Sequence, residues 1–167
     1  LCEKSCVLKL AIDAPVTIRE DEAAIIEAAF REGYVQPKTY ERNGKKVAVV
    51  GSGPSGLAAA NRLNAMGYEV TVFEKDEYIG GLLRFGIPNF KLNKSIIDRR
   101  VDIMKAEGVK FCVSTPIDVQ KLPEGFDAYC VCTGTPQARD LKIPGRELKG
   151  IHFALEMLSQ QNRVLAG

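Results

Sequence analysis

The stretch from Lys46 to Glu74 reads KVAVVGSGPSGLAAANRLNAMGYEVTVFE, and it decides the fold. Val47 to Val50 is a short, fully apolar run that stops at Gly51, the pattern of a strand buried in a parallel sheet. Pro54 to Met66 carries apolar positions at Leu57, Ala60, Leu63 and Ala65 and is closed by Gly67, which predicts a helix. Glu69 to Glu74 is β-branched and aromatic and predicts a second strand. Strand, glycine turn, helix, strand is a βαβ unit, which dictates a parallel sheet with a right-handed crossover.

Within that unit, Gly51-Ser52-Gly53-Pro54-Ser55-Gly56 sits between a strand and a helix. Gly51 permits the tight turn, Gly53 lets the backbone approach a pyrophosphate, and Gly56 allows close helix–strand contact. The helix N-terminus then offers unpaired N–H groups and a partial positive charge to the phosphates. Glu74, at the end of the second strand, is placed to accept hydrogen bonds from an adenosine ribose, and its charge disfavours a 2′-phosphate there. The alternative is a purely structural βα turn. NAD and FAD both satisfy this unit. Gly80-Gly81 would let backbone run along an extended flavin dinucleotide, although alone it reads as an ordinary turn. Thr133-Gly134 ends the apolar strand predicted over 127–132, at the carboxyl edge where open α/β sheets bind ligands. Together these features favour FAD.

Outward from this centre, a loop covers Ile79 to Leu92. Ile96, Ile97, Arg100, Val101 and Met104 form a helical stripe stopped by Gly108, and Val109 to Val113 is a further strand. A turn at Pro144-Gly145 precedes a helix from about His152 to Gln161. Upstream, residues 1–36 read as one short helical element. Thr17-Ile18-Arg19-Glu20 has capping-box spacing, Ile18, Ile25, Ile26, Ala29 and Phe30 recur at helical intervals, and Gly33 is the natural stop. Pro37 to Lys46 is polar and reads as a linker.

The 167 residues suffice for one compact domain and a small extra element. Net charge is +2, from 23 basic and 21 acidic residues mixed along the chain, so neither nucleic acid nor a membrane surface is indicated as a partner. No apolar run approaches the roughly 20 residues of a spanning helix. The five cysteines fit a reducing, cytoplasmic setting better than a disulfide scaffold. The opening on Leu rather than Met suggests a piece of a longer chain. Cys2 and Cys6 form a C-x3-C pair, too few ligands alone for a zinc ion or an iron–sulfur cluster. His152, the one histidine, lacks a clear acid or thiol partner, which favours a structural role. Lys94, Arg99 and Arg100 are interleaved with Asp98, Asp102 and Glu107 and read as a solvated helix face.

Longer stretches carry a family resemblance over essentially the whole chain: CEKSC (2–6), PVTI (15–18), VAVVGSGPSGLAAANRL (47–63), GGLLRFGIPNFKL (80–92), CTGTPQARDLKIPGRELKGIHFALEML (132–158) and QQN (160–162). The chain resembles the small (β) subunit of glutamate synthase. That family's relatives include the flavin half of dihydropyrimidine dehydrogenase and electron-bifurcating ferredoxin:NADP oxidoreductases. The resemblance implies an α/β fold. Its core is a doubly wound parallel sheet of the FAD-type Rossmann class, incomplete here and preceded by a short helical segment. Residues 1–40 would be the C-terminal end of a helical iron–sulfur domain, and 45–167 the first half of an FAD-binding domain.

By that resemblance, Gly51, Gly53, Pro54, Ser55, Gly56 and Leu57 match the diphosphate loop, and Glu74 and Lys75 the ribose–adenine contacts. Gly81 and Leu82 pass the flavin, Lys91 contacts it, Ile117 supplies backbone to the adenine, and Thr133 and Gly134 end a strand beside the cofactor. Cys2 and Cys6 would contribute to 4Fe-4S clusters in the full-length protein, and no side chain is needed as a general acid or base. Electrons would pass from NADPH to FAD and through clusters to the glutamate synthase large subunit or an equivalent acceptor. The further cluster cysteines, the NADPH domain and the returning FAD segment do not occur in these residues, so the chain alone is expected to be inactive. The rival readings are a subunit of a bifurcating oxidoreductase, a non-catalytic docking domain that keeps a nucleotide fold, and a simple NAD-binding dehydrogenase domain.

Overall fold

The computed structural model describes residues 2–166. The chain divides into two compact units, the first ending at Gln36 and the second beginning at Pro37.

The first unit holds three helices where a single element is expected: α1 (Cys2–Ser5), α2 (Leu8–Ile12) and α3 (Ile18–Arg31). The break after α2 has a local cause. Asp13 adopts the left-handed conformation (φ 51°), and Pro15 follows two residues on, where a helix cannot continue. The end of α3 is as expected. Tyr34 N–H donates to the Ala29 carbonyl at 2.8 Å and Gly33 N–H to that of Phe30 at 3.2 Å, which satisfies two terminal carbonyls. The capping box does not form. The Thr17 hydroxyl donates to the Asp21 carboxylate at 3.1 Å, and Glu20 pairs with Arg19 at 2.6 Å. A nearby carboxylate and a nearby guanidinium have outcompeted the backbone for both side chains. None of the residues in α1 to α3 is buried.

The second unit runs β1 (Lys46–Val50), α4 (Pro54–Ala65), β2 (Glu69–Phe73), α5 (Leu82–Phe85), α6 (Lys94–Ala106), β3 (Lys110–Cys112), β4 (Ala128–Val131) and α7 (Ala154–Ala166). The strands form one parallel sheet in the order β3-β2-β1-β4. Val47 pairs with Val70 and Val49 with Val72, so one face of β1 and β2 presents a continuous valine surface. Ala60 of α4 and Met104 of α6 pack onto that surface, with Val49, Val70, Val72 and Met104 all at most 1% exposed. Burying that much apolar side chain is the main drive for this unit. Phe126, from the connection before β4, meets Phe73 edge-on at 5.8 Å.

Local sequence sets the helix boundaries. Pro54 opens α4, where its missing N–H costs nothing. The Asn93 side chain caps α6 by accepting from Ser95 N–H at 3.1 Å. The 37–45 connection is tied down at several points: Lys38 N–H donates to the Glu107 carboxylate at 3.2 Å and Asn43 N–H to the Gly67 carbonyl at 3.0 Å. Arg42 donates to the Asn64 amide oxygen (2.7 Å) and to the carbonyls of Tyr68 (2.8 Å) and Glu107 (2.8 Å), tying itself to the ends of α4 and α6. Among the described residues, no helix is long and apolar enough to cross a membrane.

Candidate functional site: a cleft at the carboxyl ends of β1 and β4

The chain leaves β1 toward β2 and β3 on one side, then returns to place β4 on the other. The connections after β1 and β4 therefore diverge and leave a crevice at their carboxyl ends, the switch point at which open α/β sheets bind ligands. A cleft of about 600 Å³ lies there.

Gly51 lines its floor, with Gly56 packed directly behind it. Gly51 has φ +101°, and a Cβ on it would lie 2.4 Å from the Cys132 carbonyl oxygen; a Cβ on Gly56 would lie 1.9 Å from the Gly51 oxygen. The turn, the start of α4 and the end of β4 are thus pressed together to a degree only glycine permits. Gly53 differs: nothing lies within 4 Å of where its Cβ would stand. That open side faces the cleft, at the N-terminus of the 12-residue helix α4, where first-turn peptide N–H groups have no helical partner. An anion fits this position.

Glu74, 4% exposed, forms the next wall. One carboxylate oxygen accepts from the Ser52 N–H (2.9 Å) and from the Ser52 hydroxyl, and the other accepts from the Asp76 N–H at 2.9 Å. The Ser52 hydroxyl in turn accepts from the Gly80 N–H at 3.0 Å. The carboxylate therefore locks the glycine loop to the segment after β2 and keeps acceptor capacity toward the cleft. Gly81 abuts the loop directly: its Cβ would lie 3.0 Å from the Gly53 Cα. Behind it, α5 is anchored by two cations. Buried Arg84 donates to the Ile79 carbonyl at 2.6 Å and pairs with Asp98, and the Lys94 ammonium donates to the carbonyls of Leu83 (3.1 Å) and Ile87. Burial, and then the Arg84 charge, lower the pKa of Lys94. The specific-looking stretch 80–92 thus contains a short helix held by its own Arg84 and by Lys94 of α6.

Of the residues singled out by sequence, Gly51, Gly53, Pro54, Ser55, Glu74, Lys75, Gly81, Leu82, Ile117, Thr133 and Gly134 line the cleft. Gly56 and Leu57 do not, and Leu57 packs against the core instead. Lys91 does not line it either; it is exposed in a turn closed by its own N–H on the Pro88 carbonyl at 2.9 Å. Cys2 and Cys6 belong to the first unit. Backbone N–H groups, that of Val16 first and Leu8 next, hold the Cys6 thiol below its ordinary pKa. Among the described residues, no three His, Cys, Asp or Glu side chains gather to hold a metal ion, and two thiols are fewer than the four ligands a cluster takes. His152 is exposed and lines a separate hollow with Arg146 and Phe153.

Sequence reasoning missed several walls. Ser52, Thr115, Leu155, Ser159 and Arg163 also line the cleft. The last three recur at intervals of four on α7, a one-face stripe that helical periodicity makes readable. The thiols of Cys130 and Cys132 lie 3.6 Å apart; burial, then the Cys132 hydrogen bond, raise the Cys130 pKa.

Residues 49–106 match the family model of the NAD(P)-binding Rossmann-like domain. The chain is 50% identical over 171 aligned residues to the glutamate synthase [NADPH] small chain of Mycobacterium tuberculosis (strain CDC 1551 / Oshkosh), covering 99% of this chain and 35% of that one. The Bacillus subtilis (strain 168) glutamate synthase [NADPH] small chain is 47% identical, with 95% of this chain and 33% of that one covered. This chain thus spans about a third of the length of the curated relatives it matches. Among solved structures, Mycobacterium tuberculosis FprA in complex with NADPH superposes with a TM-score of 0.62 at 26% identity, over 71% of this chain and 29% of FprA.

Proposed function

We propose that this homologue of the glutamate synthase [NADPH] small chains is the FAD-binding part of an NADPH-dependent flavin oxidoreductase. The observation that carries the reading is the cleft, which joins the N-terminus of α4 to a buried carboxylate, Glu74. The open side of Gly53 and the α4 N-terminus receive the diphosphate. Glu74 accepts from the adenosine ribose, Ile117 offers backbone to the adenine, and Gly81, Leu82, Thr133 and Gly134 border the path of the isoalloxazine end. When bound, FAD supplies the hydride and single-electron chemistry. The protein's own work is to hold the cofactor extended, exclude water from the apolar walls and keep the diphosphate neutralised.

In the whole protein, residues 1–40 close a helical domain in which Cys2 and Cys6 join ligands from elsewhere to bind 4Fe-4S clusters, and residues 45–167 open the FAD domain. The electron source is NADPH, the partner is a glutamate synthase large subunit or an equivalent acceptor, and the setting is cytoplasmic. Purified chain reconstituted with FAD should retain roughly one flavin per chain after gel filtration. Glu74→Gln should weaken binding at least about tenfold, because an amide replaces the buried acceptor with a group that also carries donors. A chain that takes up no flavin at all would instead support the docking-domain reading.

A further inference from the structure

We infer that helix α7 completes the dinucleotide site, with Arg163 and Asn162 as its positioning residues. The inference rests on the FAD reading above and extends the site beyond the βαβ unit.

Three carboxylates, those of Glu74, Asp76 and Glu77, crowd the end of β2 beside the place of a doubly charged diphosphate. Such an arrangement repels its ligand unless a cation faces it. Lys75 lines the cleft there, but the cation that pairs with Asp76 and Glu77 comes from α7. Arg163 binds Asp76 at 2.7 Å and Glu77 at 3.1 Å, and its guanidinium stacks 4.4 Å from the centre of the Phe85 ring. One residue earlier, buried Asn162 donates to the Phe85 carbonyl at 3.0 Å and to its own helix at Leu158 at 2.9 Å. Helix α7 therefore grips both segments that follow β2: the acidic turn and α5.

The grip reaches the ligand-facing groups through fixed contacts. The Asp76 N–H donates to the Glu74 carboxylate, that carboxylate holds Ser52, and the Ser52 hydroxyl accepts from Gly80. Pinning Asp76 orients Glu74, and pinning α5 holds Gly81 against Gly53. The same helix face presents Leu155 and Ser159 to the cleft, so α7 borders the ligand as well as bracing its walls.

The test is a titration of FAD, followed by quenching of its fluorescence, into the chain and its Arg163→Gln and Arg163→Lys variants, with melting curves with and without FAD. Arg163→Gln should bind FAD about tenfold more weakly, the scale of one lost charge-assisted contact. Arg163→Lys, which keeps the charge without the fork, should recover part of that loss. The FAD-induced rise in melting temperature should shrink in Arg163→Gln and partly return in Arg163→Lys; a bracing role confined to stability would lower both curves and leave the rise intact. Unchanged affinity in Arg163→Gln, or an equal loss in both variants, overturns the role of α7. Failure of the unsubstituted chain to bind FAD would overturn the FAD reading itself.

Discussion

Helices α3 and α6 are nearly the same length, 14 and 13 residues, and both carry an amphipathic pattern. Their fates differ. In α6, Ile97, Val101 and Met104 are 6%, 3% and 1% exposed. In α3, Ile18, Ile25 and Ile26 are 54%, 71% and 45% exposed. Amphipathicity states what a helix can bury, and the energy is realised only when a surface of matching shape receives it. For α6 that surface is the valine face of β1 and β2 under Met104, and Ile79 with Leu57, Leu83, Leu92 and Phe111 around Ile97 and Val101. The second unit is therefore stabilised by a core, whereas α3 leaves these isoleucines exposed.

The sharpest break of this comparison would come at the tightest contact in the second unit. Gly56→Val should destabilise that unit by about 3 kcal/mol or more and abolish FAD binding, since its Cβ must displace the Gly51 carbonyl. Urea denaturation followed by circular dichroism reads this directly. Next comes the matched pair. Met104→Ala should cost about 3 kcal/mol, as expected for a large core truncation, whereas Ile25→Ala in α3 should change unfolding of the second unit by about 0.5 kcal/mol or less. Similar losses from both would show that α3 has a packing partner after all.

A smaller effect sharpens where the units divide. Arg42→Ala removes three hydrogen bonds from the 37–45 connection and should cost about 1–3 kcal/mol, partly offset by water reaching the freed carbonyls. A null result would show that Arg42 does not fix that segment. The smallest concerns Asp140, whose carboxyl is held below its ordinary pKa chiefly by its hydrogen bond to Arg146. A depressed carboxylate stabilises above its unfolded pKa and loses that contribution as pH falls through the folded value. The group is solvent-exposed, so NMR titration should report a lowered Asp140 pKa that returns toward normal in Arg146→Ala, with little change in melting temperature.

Much of this was readable in advance. The period of the β1–α4–β2 stretch, the glycine spacing and Glu74 led directly to the parallel sheet and to the cleft. The α6 and α7 patterns were legible as helices, and α7 runs from Ala154 to Ala166, five residues past the expected stop. Three readings did not carry through. The Thr17–Glu20 spacing promised a capping box, yet Asp21 and Arg19 offered those side chains stronger charged partners. The 37–46 segment looked like a linker because its composition is polar, and composition says nothing about one arginine reaching three acceptors. Residues 1–36 read as one helical element, yet they form three helices, with a break at Asp13 and Pro15.

The sequence by itself determined the backbone elements around Gly51 to Gly56, because strand and helix periodicity and glycine's steric freedom are local properties. It also determined the charge at Glu74 and, through long matched stretches, the kinship. Only the tertiary structure decided which residues share the cleft. Residues as distant as Ser52, Glu74, Asp76 and Arg163 meet there because the sheet order returns β4 beside β1 and the chain then brings α7 onto the segment after β2. Hydrogen bonds and ion pairs act over a few ångströms in space, whatever the separation along the chain, so no local pattern could have declared that network.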